Sequence, residues 1–121
     1  MSAVSFRDLR VWNRAMDLAE SIYRLTIAFP RSEQYGLVSQ LRRASVSISA
    51  NIAEGNGRGS RADYSRFVSI ALGSAREVDS LLQLSIRVGL TKAESARESI
   101  QILEETCRML NRLRQSLEVG S

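Results

Sequence analysis

Apolar residues recur at three- and four-residue spacing along almost the whole chain, and a single proline, Pro30, interrupts it. That spacing is the period of an α-helix with one buried face. With one proline and a glycine cluster at 55–59 as the main breaks, the chain must fold as long helices joined by short turns. Five alternating residues, Ser45 to Ser49, are the one passage with a strand-like pattern. They lie inside a helical stripe more than four times as long, so the helix is kept.

The stripes and their boundary signals define four segments. Leu9, Trp12, Ala15, Ala19, Ile22 and Tyr23 line the first, opened by a capping box at Ser5 and Asp8 with a Val4–Leu9 hydrophobic staple. It ends before Pro30, which disfavours a helical Phe29. Ser32 is placed to cap the second, carrying Leu37, Leu41, Ala44, Ile48 and Ile52. Ser60 and Asp63 open the third, which runs through Tyr64, Phe67, Val68, Ala71, Ala75, Val78, Leu82 and Val88 to a stop at Gly89. Thr91 with Glu94 opens the fourth, whose seam is Ala96, Ile100, Leu103, Cys107 and Leu110, with Arg114 breaking it.

Helices are therefore expected at about 6–28, 33–55, 61–88 and 92–117, within a single domain spanning 1–121. Connections of about three to five residues force antiparallel neighbours. The expected fold is all-α, an antiparallel up-and-down four-helix bundle.

Composition then narrows function. The chain has no histidine, which removes the usual general base near neutral pH and the commonest zinc ligand. Its lone cysteine, Cys107, forms neither an internal disulfide nor a thiolate metal site and reads as a buried hydrophobe. Serines are plentiful, but no histidine or lysine lies nearby in sequence to activate them. These absences point away from an enzyme, and no metal or cofactor is expected. Arg7, Asp8 and Arg10 break up any signal-peptide core, and no stretch is long and apolar enough to span a membrane. A cytoplasmic protein with no membrane partner is the expectation.

Helix two is rich in small residues (Ser39, Ala44, Ser45, Ser47, Ser49, Ala50, Ala53), and helix three answers with Ala71, Gly73, Ser74 and Ala75. Such faces let two helix backbones approach closely. The Gly55–Gly59 turn feeds the N-terminus of helix three, a geometry that suits an anion. It lacks a Walker lysine and a preceding strand, so it reads foremost as an interhelical turn.

Charge is uneven. The net charge is +4, and of 17 basic residues all but Lys92 are arginine. Residues 1–66 hold ten arginines and six acids, whereas 67–121 hold seven of each sign. Arg31, Arg42, Arg43, Arg58, Arg61 and Arg66 group around helix two and its ends. Arginine prefers planar carboxylate or phosphate partners. Two readings compete: salt bridges to Glu33, Glu54, Asp63 and Glu77 within or between subunits, or a phosphate-contacting patch for nucleic acid.

Trp12, Phe29-Pro30, Glu33, Gly36-Leu37, Gln40, Arg42-Arg43-Ala44, the NIAEG string at 51–55, Arg58, and Ala71 through Gly73-Ser74 to Glu77 together carry a resemblance. In this order the chain resembles the small bacterial "four helix bundle protein" group, also called the 23S rRNA intervening-sequence protein family, over roughly residues 6 to 115. The resemblance implies an up-and-down bundle that assembles as a homo-oligomer, best as a pentamer. It also implies an RNA or ribosome connection, and no catalytic residues. A distant relative, the accessory protein of diversity-generating retroelements, is a basic pentamer that binds nucleic acid and a protein partner. Gln40, Asn51, Glu54, Ser74 and Glu77 are the polar positions of the pattern expected to serve structure. The function expected is a non-catalytic oligomeric scaffold associating with structured RNA through arginine. Its alternative is a structural or protein-interaction oligomer whose arginines serve subunit contacts.

Overall fold

The computed structural model describes residues 5–118. Four helices form: α1 Arg10–Ile27, α2 Leu37–Asn56, α3 Arg61–Arg87 and α4 Arg97–Glu118, with no strand among the described residues. Each packs against two neighbours in the ring α1–α2–α3–α4, and the diagonal pairs face one another across the core. This is the expected four-helix bundle. Ser45–Ser49, the strand-like passage, is continuous helix.

The helix starts differ from expectation, each for a local reason. Ser5 does act as a cap, its Oγ accepting from Arg7 N at 3.2 Å, but it closes a single 3₁₀ turn, Phe6–Asp8. Leu9 is extended after it, and α1 begins at Arg10. The bend sets the Phe6 ring edge-on to Trp12, centroids 5.1 Å apart, and Asn13 Nδ2 ties the turn down by donating to the carbonyls of Arg7 and Leu9. Val4, the other half of the expected staple, lies outside the described residues.

A second 3₁₀ turn, Arg31–Glu33, follows Pro30, so Ser32 sits within a turn and does not cap α2. Glu33 takes over that role: its Oε1 accepts from Leu37 N at 3.3 Å. Thr91 likewise does not open α4. It follows a Schellman closure of α3, where Gly89 adopts φ +82°, Leu90 N donates to Ser85 O at 2.9 Å and Gly89 N to Ile86 O at 3.1 Å. The chain then turns through 93–96 before α4 begins. The outer connections, 28–36 and 88–96, are thus longer than expected, whereas Ser60 caps α3 as read, accepting from Asp63 N at 3.1 Å.

Leu18, Ile22, Leu41, Ile48, Ile52, Val68, Val78, Leu82 and Leu110 are fully buried between the helices. The seam of α4 is rotated slightly from expectation. Ile102 and Thr106 are buried, whereas Ile100 and Cys107 are half-buried at its edge.

The most extensive contact is between α2 and α3. Gly55 sits tightly in this contact: a Cβ there would sit 2.8 Å from Phe67 Cβ and 3.0 Å from Tyr64 Cδ1. Gly73, expected to share this role, is exposed with open space around its Cα. The two glycines should respond oppositely to alanine. Gly55→Ala overpacks a contact whose neighbour is a fixed Cβ and should cost about 1–3 kcal/mol. Gly73→Ala removes backbone freedom from an exposed helix interior and should stabilise by about 0.5–1 kcal/mol. Urea denaturation of the two variants beside wild type measures both.

Candidate nucleic-acid interface

The six arginines that sequence groups together fall at opposite ends of the bundle. Arg43 and Arg58 are fifteen residues apart on and just beyond α2, about 22 Å at 1.5 Å per residue. Arg31, Arg42 and Arg43 lie at the α1–α2 end; Arg58, Arg61 and Arg66 lie at the α2–α3 end.

At the α2–α3 end the guanidinium groups are occupied internally. Arg58 pairs with Glu54 at 3.3 Å and lies 4.9 Å above the Phe67 ring centre. Arg66 lies over the same ring at 4.5 Å and approaches Asp63 at 3.8 Å. Arg61 reaches the C-terminal turn of α4, donating to Ser116 O at 2.6 Å and Leu117 O at 3.3 Å. That places a cation on the negative end of a helix dipole.

The α1–α2 end is different. Arg42 is half-buried: Nε donates to Thr26 Oγ1 at 3.0 Å, Nη2 to Tyr23 O at 3.4 Å, and the guanidinium stacks 4.5 Å above the Tyr23 ring. Arg31 and Arg43 are exposed, and neither side chain makes an ion pair or hydrogen bond among the described residues. Of the four acids read as partners, Glu54 and Asp63 do pair with arginines. Glu33 instead caps α2, and Glu77 is exposed without an ion pair among the described residues.

The other polar positions divide the same way. Ser74 and Ser47 share a hydrogen bond of 2.8 Å between α3 and α2. Asn51 Nδ2 donates to Ser47 O at 2.8 Å and Ser47 Oγ at 3.0 Å. Gln40 is exposed.

Two features escaped the sequence reading. Arg14 makes the bidentate carboxylate contact that the composition suggested, through Nε to Glu105 Oε2 at 3.0 Å and Nη2 to Glu105 Oε1 at 3.1 Å, with Nη1 on Asp17 at 3.0 Å. Its partner is 91 residues away, beyond any local signal. Around it an α1–α4 groove gathers Asp17, Glu20, Glu98, Glu104 and Glu105. The neutral charge sum of the second half concealed this acidic side. Tyr23, read as core, is instead 43% exposed, beside the 95% exposed Tyr35 whose place near the arginines is already visible in sequence.

Among the described residues no group of three or more metal-binding side chains converges. Arg14, Tyr64 and Cys107 are all displaced upward in pKa, away from neutrality: Arg14 by its hydrogen bonds to Glu105 and Asp17, Tyr64 by burial, Cys107 by burial and then Asp79. Groups poised for acid–base or nucleophilic work are shifted toward the working pH. None of the described helices is long and apolar enough to cross a membrane.

A four-helix bundle with arginine-bearing ends is the class that fold and site define. The chain belongs to the family described as 23S rRNA-intervening sequence protein, whose family model matches residues 7–112. Among solved structures it is similar to a protein of unknown function from the S23 ribosomal protein family of Bacteroides thetaiotaomicron. The TM-score is 0.77 at 26% identity, covering 86% of this chain and 97% of that one. Comparison with curated proteins gives no match.

Two expected outcomes follow from this geometry. Arg42→Ala removes a bond to a charged donor and a ring contact, and should cost about 1–2 kcal/mol, whereas Arg43→Ala should stay within about 0.5 kcal/mol. Thermal melts of both variants check the contrast. Because burial disfavours its thiolate, Cys107 should alkylate with an apparent pKa above that of a free cysteine, read from iodoacetamide rates across a pH series.

Proposed function

We propose that this protein is a non-catalytic, oligomeric helical scaffold of the cytoplasm that associates with structured RNA through arginine–phosphate contacts. The observation that carries the reading is the pair Arg31 and Arg43, exposed at one end of the bundle with no carboxylate on either guanidinium among the described residues. The four other candidate arginines are already engaged by groups of the protein itself, so the phosphate-contacting role falls to these two.

Assembly into a homopentamer would raise the net charge to about +20 and multiply the contacts available to one polyanion. Self-association is supported by where apolar side chains remain in water. Met16, Val46, Ile70 and Leu84 are exposed on α1, α2 and α3 and Val88 just past α3, while α4 exposes no large apolar side chain among its described residues. That asymmetry also favours the second reading, a protein-interaction oligomer in which the free arginines meet a neighbouring subunit.

Binding of a labelled stem–loop RNA across a salt series separates the two. Affinity should fall linearly in log–log form, and the Arg31→Ala, Arg43→Ala double variant should reduce the slope by roughly 1–2 while keeping its subunit count by sedimentation. Arg42 is left intact because its loss would also disturb folding. Absence of binding at low salt would overturn the RNA reading. A double variant that dissociates into monomers would move these arginines to the subunit interface.

A further inference from the structure

Between the end of α1 and the start of α2 lies an open hollow of about 440 Å³, lined by Tyr23, Gln34, Tyr35, Ser39, Arg42 and Arg43 among others. Its chemistry is one-sided. Two guanidinium groups line it and no carboxylate does, whereas the α1–α4 groove mixes five carboxylates with three arginines. It also holds two aromatic rings. Tyr35 is 95% exposed, so both faces of its ring are open to solvent. Tyr23 is 43% exposed, with the Arg42 guanidinium 4.5 Å above it. The bonds from Arg42 to Thr26 and Tyr23 fix that cation at the wall of the hollow before any ligand arrives.

Resting on the RNA reading above and deepening it, we propose that this hollow receives unpaired nucleotides, a base stacking on Tyr35 and the adjoining phosphate meeting Arg43. An anion that also presents a π-face matches both halves of the lining, which neither an inorganic anion nor an apolar side chain does. Gln34 supplies an amide donor and acceptor for a base edge. Bases inside a duplex keep their faces stacked on one another, so a protein ring reaches only a base in a loop, bulge or single strand. The phosphate contact sets affinity and salt dependence, and the ring sets the preference for unpaired over paired nucleic acid. Tyr64, the other tyrosine near the arginines, is half-buried against Gly55 and belongs to the helix packing.

The test uses the full chain in its native assembly and fluorescence anisotropy with a labelled oligouridylate of about twelve nucleotides, the DNA strand of matching sequence and an RNA duplex of equal length. Tyr35→Ala should weaken single-strand binding about 5- to 100-fold, leaving the salt slope and the duplex affinity unchanged. Tyr35→Phe should bind like wild type, because stacking needs the ring and not the hydroxyl. Equal affinity for the DNA strand supports stacking on either polymer; tighter RNA binding supports the same site with a contact to the 2′-hydroxyl. If Tyr35→Ala binds single strands as wild type does while the Arg31→Ala, Arg43→Ala variant loses them, the nucleotide hollow is wrong and the RNA reading survives. If no oligonucleotide binds at low salt, both fail. A changed subunit count in Tyr35→Ala makes the hollow a subunit contact and overturns the proposal.

Discussion

The close approach of α2 and α3 at Gly55 is the constraint on which the rest of the bundle depends. With Phe67 Cβ and Tyr64 Cδ1 3.0 Å or less from where a side chain would begin, only glycine lets the end of α2 meet the start of α3. The turn between them is accordingly the shortest in the molecule, and it fixes the antiparallel pair against which α1 and α4 pack. Arg58 and Arg66 then cover Phe67 from outside, so the arginines at this end continue the same packing.

Close packing through serine and threonine carries a polar cost unless each hydroxyl is satisfied. Here Ser45 donates to Arg42 O, Ser49 to Val46 O, Ser85 to Leu81 O and Thr106 to Ile102 O, all within their own helices. Between helices, Ser47 pairs with Ser74 and Ser21 with Ser99. Among the described residues no buried side-chain nitrogen or oxygen lacks a partner. The small-residue stripe therefore acts in two ways: it brings backbones together, and through Ser47 and Ser74 it supplies a hydroxyl bridge between α2 and α3, as Ser21 and Ser99 do between α1 and α4. Satisfied networks of this kind specify one arrangement among the many that apolar contacts alone would allow.

Charge on the surface follows from the same packing. Once α1 lies against α4, the acids of both helices share one groove around the Arg14–Glu105 pair. Once α2 lies against α1, Arg42 and Arg43 share a hollow with two tyrosines. A chain with a modest net charge thus presents one acidic side and one basic, aromatic end. The six arginines that sequence joined into one group were legible as residues that matter. Their division into four internally engaged and two unpartnered was legible only in part: Glu54 and Asp63 meet Arg58 and Arg66 at helical spacing, whereas Thr26 for Arg42, Phe67 for Arg58 and Ser116 for Arg61 are set by helix contact.

By itself the sequence determined the helical class, the breaks at Pro30, 55–59 and Gly89, the Ser60 cap and the four-helix architecture. These rest on local periodicity and backbone preference, which a linear chain displays openly. Local contacts that compete with the expected caps set where helices begin: the Phe6 turn packs on Trp12 before α1 starts, and Glu33, four residues ahead of Leu37, replaces Ser32 as the cap of α2. Tertiary structure decided that Gly55 is closely confined while Gly73 is open, and that Tyr23 and Tyr35 stand together beside two arginines. The reason is common to all of them. A residue's neighbours along the chain fix its conformation, but its function depends on the side chains that helix packing brings to it from elsewhere.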